Sequence, residues 1–135
     1  MEQWQKSIER FIKINEPLPT YSTKKGSVKT RKSCVGLLKG NVDTTTGIID
    51  IASVGSVCKD GKFHHRLNNY GCVILDECHH GASAIIQAIL QEVKAQHVYG
   101  ATATLNRYDG KEGINKLLIG DVVYRYATLH NIDCI

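Results

Sequence analysis

Two adjacent carboxylates, Asp76 and Glu77, follow directly on the apolar residues 70–75. Such a run is typical of a strand that is buried on both faces of a parallel sheet. A carboxylate at the end of a buried strand costs free energy unless it binds a positive group. Successive side chains of an extended chain point in opposite directions, so each carboxylate would have its own target. The pair therefore predicts a cation site, and a solvated turn is the alternative.

A second apolar run ends in small and hydroxyl residues. Residues 98–104 read Val-Tyr-Gly-Ala-Thr-Ala-Thr and include Thr102 and Thr104. Ligands of α/β proteins bind at the carboxyl ends of parallel strands. We therefore expect the acidic pair and the two threonines to line one crevice.

The apolar periodicity along the chain predicts alternating strands and helices. An amphipathic helix begins the chain with Trp4, Ile8, Phe11 and Ile12 on one face, and Pro17 and Pro19 end it. This alternation predicts an α/β fold with a mostly parallel sheet covered on both faces. The remaining predicted elements are a basic loop at 24–32, an edge strand at 34–38, strands at 47–53, 71–76, 97–101 and 122–126, a short helix with turns within 55–67, and helices at 82–93 and 112–118.

The order of these motifs resembles superfamily 2 helicases of the DEAD/DEAH type. Asp-Glu-Cys-His at residues 76–79 is similar to motif II in its DECH form, and Thr-Ala-Thr at 102–104 is similar to motif III. Residues 46–53 resemble the strand that carries motif Ib, and residues 107–110 resemble the Arg-x-Asp-Gly tail of restriction-type and phage-type members. The resemblance implies that residues 1–135 form part of a three-layer RecA-like first lobe, from after motif Ia to after motif III.

The resemblance also implies ATP and Mg²⁺ as cofactors. Asp76 would hold Mg²⁺ through water, which suits an ion that keeps several of its waters. Glu77 would orient or deprotonate the attacking water. His79 would link the nucleotide site to motif III through the hydroxyls of Thr102 and Thr104.

Nucleic acid is the partner that the resemblance implies, with DNA expected more than RNA. Ser53, Ser56 and Arg107 match regions where relatives contact the nucleic-acid backbone, and small hydroxyls suit phosphate contact without base readout. Gly55 replaces a Gln that is often found in that region, and Leu105 replaces the usual Pro after motif III.

No segment of the sequence fits the phosphate-binding pattern G-x-x-x-x-G-K-[ST]. Residues 55–63 come closest, but they have one residue too many between the glycines and Phe63 at the hydroxyl position. This loop and the second helicase lobe would come from a parent chain or a partner, and the chain alone should hydrolyse ATP negligibly. Two alternatives stay open: a non-catalytic nucleic-acid-binding module, and a metal-dependent hydrolase or nuclease built on Asp76, Glu77, His79 and His80.

Composition is that of an ordinary globular domain. The 135 residues are 42% hydrophobic and 7% aromatic, with a formal charge of +4. The five cysteines are odd in number and form no Cys-x-x-Cys pair, so we expect them reduced and mostly buried. No stretch approaches the roughly 18 apolar residues of a membrane span, and we expect a cytoplasmic domain with no membrane partner.

Overall fold

The computed structural model describes residues 1–80, 83–103 and 112–125, with the side chains of 112–115 outside that description. Within these residues the chain alternates short strands and helices, which confirms the mixed α/β class. In chain order the elements are α1 Glu2–Phe11, β1 Thr20–Ser22, β2 Val28–Thr30, β3 Val35–Lys39, β4 Val42–Asp43, β5 Ile49–Ala52, α2 Val54–Val57, β6 Cys58–Lys59, β7 Lys62–Phe63, β8 Cys72–Asp76, α3 Ala84–Glu92, β9 His97–Ala101 and α4 Glu112–Ile119.

The strands form four small sheets rather than one broad sheet. Two pairs are parallel, β3 with β5 and β8 with β9. The pairs β1–β2, β3–β4 and β6–β7 are antiparallel hairpins. The parallel pairing of β8 with β9 places the ends of the motif II and motif III strands at one edge, as expected, but the described residues do not form the single covered sheet that was predicted.

The best-buried part of the chain is the sheet with strand order β4-β3-β5. Val35 and Leu38 of β3 are 6% and 7% exposed. The Asp50 carboxylate on β5 accepts hydrogen bonds from the Tyr70 hydroxyl at 2.6 Å and from the backbone N–H groups of Thr46 and Gly47 at 2.8 and 2.7 Å. These bonds satisfy the charge and fix the loop before β5 onto the sheet.

The β8–β9 sheet is much more exposed. Its register pairs Ile74 with Tyr99, so both side chains lie on one face, where they are 62% and 49% exposed. Val73, Leu75 and Val98 on the other face are only half-buried. The expectation of a strand buried on both faces is therefore wrong for β8. Among the described residues, α4 and the turn Cys78–His80 pack against the face of this strand pair that carries Leu75 and Gly100.

Four further expectations need correction. Residues 34–38 were expected at a sheet edge, but β3 is the central strand, because β4 returns beside it through a tight turn. The segment 24–32, expected to be a loop, holds the turn and the second strand of the β1–β2 hairpin. Residues 122–125 form no strand, and residue 126 lies outside the described residues. The first helix ends at Phe11, before Pro17, and buries none of its residues.

The other predicted elements are present. Strands form within 47–53, 71–76 and 97–101, and the helices predicted at 82–93 and 112–118 are present as α3 Ala84–Glu92 and α4 Glu112–Ile119. Residues 54–63 form the short helix α2 and the β6–β7 hairpin, so the near match to a phosphate-binding loop lacks the expected strand, loop and helix. Cys34, Cys58 and Cys78 are buried free thiols, whereas Cys72 is exposed and Cys134 lies outside the described residues. Across the part of the chain that is described, none of the helices is both long and apolar enough to span a bilayer.

Candidate nucleotide and metal site

Asp76 is the last residue of β8, and its carboxylate is held from two sides. Oδ1 accepts a hydrogen bond from the backbone N–H of Glu77 at 3.0 Å. Oδ2 accepts one from the indole Nε1–H of Trp4 at 2.8 Å. Trp4 belongs to α1, so this bond joins residues 72 positions apart and places α1 at the carboxyl end of β8.

Glu77 has a left-handed backbone conformation, with φ of 53°. A non-glycine residue in this region is uncommon and is found most often in turns and at functional sites. The conformation ends the strand abruptly and begins the 3₁₀ turn Cys78–His80, where the His80 N–H donates to the Glu77 carbonyl at 3.0 Å. Glu77 is exposed, so its carboxylate faces solvent at the strand end.

His79 joins the ends of β8 and β9. Its Nδ1 lies 2.9 Å from the Thr102 hydroxyl and 3.1 Å from Oε2 of Glu77. The structure therefore brings together Glu77, His79 and Thr102, three of the residues singled out in the sequence. Because the imidazole contacts both strand ends, a change in the position of the Glu77 carboxylate would be felt at Thr102.

Cys78 packs this connection tightly. It is buried against Gly100 of β9, where an added Cβ would lie 2.8 Å from the Cys78 Sγ and 3.2 Å from Cδ1 of Ile119. Burial raises the pKa of the Cys78 thiol, and the charges of Glu77 and Asp76 act in the same direction. Cys78 is therefore a neutral packing residue beneath the acidic pair, and Gly100 permits the close approach of the turn to β9.

In the part of the chain that the structure describes, no Lys or Arg side chain forms an ion pair with Asp76 or Glu77. The ion pairs seen there join other groups or involve only the Glu77–His79 contact. A carboxylate offers about four lone-pair sites, and two of those on Asp76 accept the hydrogen bonds from Trp4 and Glu77. The remaining sites, the exposure of Asp76 and its negative charge fit a Mg²⁺ ion held through water.

The arrangement does not favour a transition-metal centre. Among residues 1–80, 83–103 and 112–125 there is no group of three or more His, Cys, Asp or Glu side chains placed to hold a metal ion. The rings of His79 and His80 lie beside each other, with centroids 4.0 Å apart. Neighbouring residues of one tight turn do not converge on a single ion, and this argues against the alternative built on Asp76, Glu77, His79 and His80.

Ser53 and Ser56 lie together, but their hydroxyls are used within the fold. Their Oγ atoms are 2.8 Å apart, and the Ser56 hydroxyl accepts the backbone N–H of Gly40 at 2.8 Å. These bonds tie α2 to the turn between β3 and β4. The nucleic-acid contact expected of these serines stays a prediction. Thr104 and Arg107 lie outside the described residues.

Two parts of the site were not anticipated from the sequence. Trp4 was assigned only to the apolar face of a helix, and the sequence carries no signal for the bond from its indole N–H to Asp76. The fit between Cys78 and Gly100 depends on how the turn folds back on β9, and spacing alone carries no signal for it.

Comparisons with known proteins agree with this geometry. Residues 1–107 match the family described as the type III restriction enzyme, res subunit. The XPB helicase/translocase subunit of the TFIIH basal transcription factor complex of Trypanosoma brucei brucei is 27% identical over 135 residues, which cover 90% of this chain and 13% of that protein. The DNA 3'-5' translocase XPB2 of Sulfurisphaera tokodaii is 30% identical over 90 residues, which cover 67% of this chain and 20% of that protein.

The chain thus spans less than a quarter of either relative. The family match extends from α1 through both strand ends of the site and covers well over half of the chain. It confirms the superfamily 2 helicase resemblance that motifs II and III predicted. The chain belongs to the family of the type III restriction enzyme res subunit.

Proposed function

We propose that this chain is part of the ATP-binding lobe of an ATP-dependent DNA helicase or translocase. The observation that carries the proposal is the acidic pair Asp76-Glu77 at the carboxyl end of β8, connected through His79 to Thr102 after β9. Two parallel strand ends joined in this way form the half of a phosphoryl-transfer site that handles the cation and the water. Residues 1–135 would then belong to a larger three-layer RecA-like domain. The proposed location of that domain is the cytoplasm.

Each residue has a distinct task in this proposal. Asp76 holds Mg²⁺ through water, and the ion when bound neutralises charge on the β and γ phosphates of ATP. Glu77 orients the attacking water and accepts its proton. His79 contacts both Glu77 and Thr102, so it couples the position of the Glu77 carboxylate to the segment that follows β9. The family resemblance assigns Thr104 to the same coupling and Arg107 to contact with the nucleic acid.

DNA is the proposed nucleic-acid partner, because both relatives are translocases and one is named for DNA. Ser53 and Ser56 sit at the start of α2, where their hydroxyls already bond to each other. A DNA phosphate at this point would accept a hydrogen bond from the Ser53 hydroxyl in place of its contact with Ser56. Ser56 is less available because its hydroxyl also accepts the backbone N–H of Gly40. The second lobe and a phosphate-binding loop complete the site, from the same polypeptide or from a partner.

ATP turnover tests the catalytic part of the proposal. The 135-residue chain alone should show no DNA-stimulated ATP hydrolysis above background, because its sequence contains no phosphate-binding loop. Appreciable stimulated turnover by this chain would contradict that expectation. In the protein that supplies the loop, Glu77→Gln should lower DNA-stimulated turnover by about 100-fold or more while ATP binding is kept, since general-base removal has effects of that order. Unchanged turnover would overturn the role of Glu77.

A non-catalytic nucleic-acid-binding module is the second candidate. It is favoured by the missing phosphate-binding loop and by a strongly basic segment between Pro17 and Val42. Such a module would bind DNA with a steep salt dependence and without any effect of Mg²⁺ or ATP. DNA affinity that changes with ATP in the protein containing the loop would exclude this candidate.

A further inference from the structure

All of the net positive charge of the chain lies in one segment. Residues 17–42 contain six Lys or Arg residues and no Asp or Glu, whereas the rest of the chain contains 11 basic and 13 acidic residues. Five of the six basic residues fall within or beside the β1–β2 hairpin: Lys24, Lys25, Lys29, Arg31 and Lys32. Within the described residues none of these five forms an ion pair.

This segment is an ordered arm. The hairpin pairs Thr20 with Thr30 and Ser22 with Val28, and its turn is closed by the Thr23 N–H donating to the Ser27 carbonyl at 2.8 Å. Gly26 supplies the left-handed residue that the turn needs, with φ of 82°. Both strands are exposed along their whole length. A hairpin of this length has little stability of its own, so its fixed shape depends on anchors at its base.

Those anchors are present. The Arg31 N–H donates to the Pro19 carbonyl at 2.7 Å, just below the paired strands. The Ser33 hydroxyl donates to Oε1 of Glu9 on α1 at 2.7 Å. The buried Cys34 then leads into β3, the best-buried strand. The basic side chains are thus carried on a projecting hairpin that is joined directly to the core.

One face of the hairpin combines an aromatic ring with cations. Tyr21 is paired with Lys29, and the Arg31 guanidinium lies over the Tyr21 ring at 4.8 Å from its centroid. A guanidinium that lies over an aromatic ring keeps N–H donors that suit a phosphate. Lys24 and Lys25 add two further positive charges at the turn between β1 and β2. Cations alternating with an aromatic ring are a common surface for nucleic-acid backbones.

We infer that the β1–β2 hairpin is a nucleic-acid contact that grips the phosphate backbone, separate from the serines expected to do so. The inference rests on the proposed function, because it names where the DNA of that function is held. Charge complementarity favours a polyphosphate chain as the occupant. The five cations form no ion pair with other described residues, and the rest of the chain is slightly acidic, so the cluster attracts a dense line of negative charge.

The test measures binding of the chain to a fluorescein-labelled DNA duplex over a series of salt concentrations. The variant Lys24→Gln/Lys25→Gln/Lys29→Gln should bind more than ~30-fold more weakly near 0.1 M salt, and the slope of log affinity against log salt should fall by about 2 to 3. The control Lys6→Gln/Lys13→Gln/Lys94→Gln removes the same charge from exposed sites elsewhere and should stay within about threefold of the wild-type affinity. Circular dichroism should show both variants folded.

A hairpin variant that keeps the wild-type affinity and salt slope would overturn the inference and leave the proposed function standing. A wild-type chain with no salt-dependent DNA affinity would overturn both. Equal binding to vesicles made from equal parts of phosphatidylserine and phosphatidylcholine would also overturn the inference, because it would make the hairpin a general anion-binding surface.

Discussion

The two parallel strand pairs, β3–β5 and β8–β9, are supported very differently. The first has buried side chains on β3 and a carboxylate, Asp50, whose hydrogen bonds all come from its own loop and from Tyr70. The second has one exposed apolar face and a carboxylate, Asp76, that takes a bond from a distant helix. Both carry an acid on a strand, but only the second acid has exposed, unfilled acceptor sites.

The difference distinguishes Asp50, a carboxylate that stabilises the fold, from Asp76, a carboxylate that is available to bind a ligand. Asp50 is enclosed by donors, and it raises the pKa of the Tyr70 phenol together with burial of that ring, which is the larger cause. Asp76 is exposed, and each of its oxygens accepts one hydrogen bond from the described residues. The sequence alone shows only that Asp50 and Asp76 both lie in predicted strands. The number of hydrogen-bond donors around each carboxylate decides which of the two is available to a ligand.

The largest expected effect is in the buried pair. In Gly36→Ala the new Cβ would overlap the Asp50 carboxylate and lie 2.7 Å from the Thr44 carbonyl oxygen. We expect a loss of about 3 kcal/mol or more in the free energy of unfolding, since neither neighbour is the free end of a flexible chain. Urea denaturation measures it. Gly55→Ala is the matched control, because nothing lies within 4 Å of its added Cβ, and a similar loss there would refute the packing argument.

A smaller and more local effect is expected in the exposed pair. In Gly100→Ala the added Cβ would meet Cys78 Sγ at 2.8 Å and Cys78 Cβ at 2.9 Å. We expect a cost of about 1 to 2 kcal/mol, seen as faster amide hydrogen exchange in β8, β9 and the turn 78–80, with β3 little affected. Gly71→Ala, which has open space around its added Cβ, serves as control. Equal acceleration in β3 would show that the two pairs are not independent.

The same two strand pairs illustrate what the sequence could and could not predict. The positions of β5, β8 and β9 were accessible from the apolar runs, and the approach of His79 to Thr102 was implied by the helicase resemblance. The exposure of Ile74 was not accessible, because periodicity reports which residues are apolar and not whether another element covers them. The central position of β3 was not predicted, although the sequence carries a signal for the β3–β4 hairpin: Gly40-Asn41 is a two-residue pair typical of such turns, and Gly40 has a φ of 57°.

The hairpin at 20–30 was missed for a related reason. Its two strands are only three residues long and show no alternation of apolar and polar residues, so the many basic residues of this segment predicted a loop. The bond between Trp4 and Asp76 joins residues that are distant in sequence, and no local pattern predicts it.

The smallest expected effect concerns acid stability of the buried pair. Hydrogen bonds from Thr45, side chain before backbone, lower the pKa of Asp43 on β4 from 3.8 to about 2, with His64 nearby acting in the same direction. A carboxylate whose pKa is lowered on folding stabilises the fold above its unfolded pKa, and this contribution is lost as the pH falls from about 4 to about 2. Asp43→Asn should therefore flatten the change of urea midpoint in that window. Asp60→Asn, on the exposed β6–β7 turn, should leave the wild-type pH dependence, and identical profiles for all three proteins would refute the assignment.

The central claim is that Asp76 is the carboxylate that faces the metal ion of a nucleotide site. Trp4 is the single tryptophan of the chain, and its indole N–H lies 2.8 Å from Oδ2 of Asp76. Mn²⁺ accepts the oxygen ligands that suit Mg²⁺, and it broadens the NMR signals of nearby protons. The most direct measurement is therefore titration of the ¹⁵N-labelled chain with Mn²⁺ and ATP while the indole cross-peak is followed.

The account predicts that the indole peak and the amide of Glu77 broaden at lower Mn²⁺ concentration than other signals. Asp76→Asn, which keeps an oxygen to accept the indole bond but removes the charge, should abolish that preference. Asp121→Asn, which removes an exposed carboxylate paired with Lys116, should retain it. An indole peak that keeps its width while other signals broaden, or one that broadens equally in Asp76→Asn, would contradict the account.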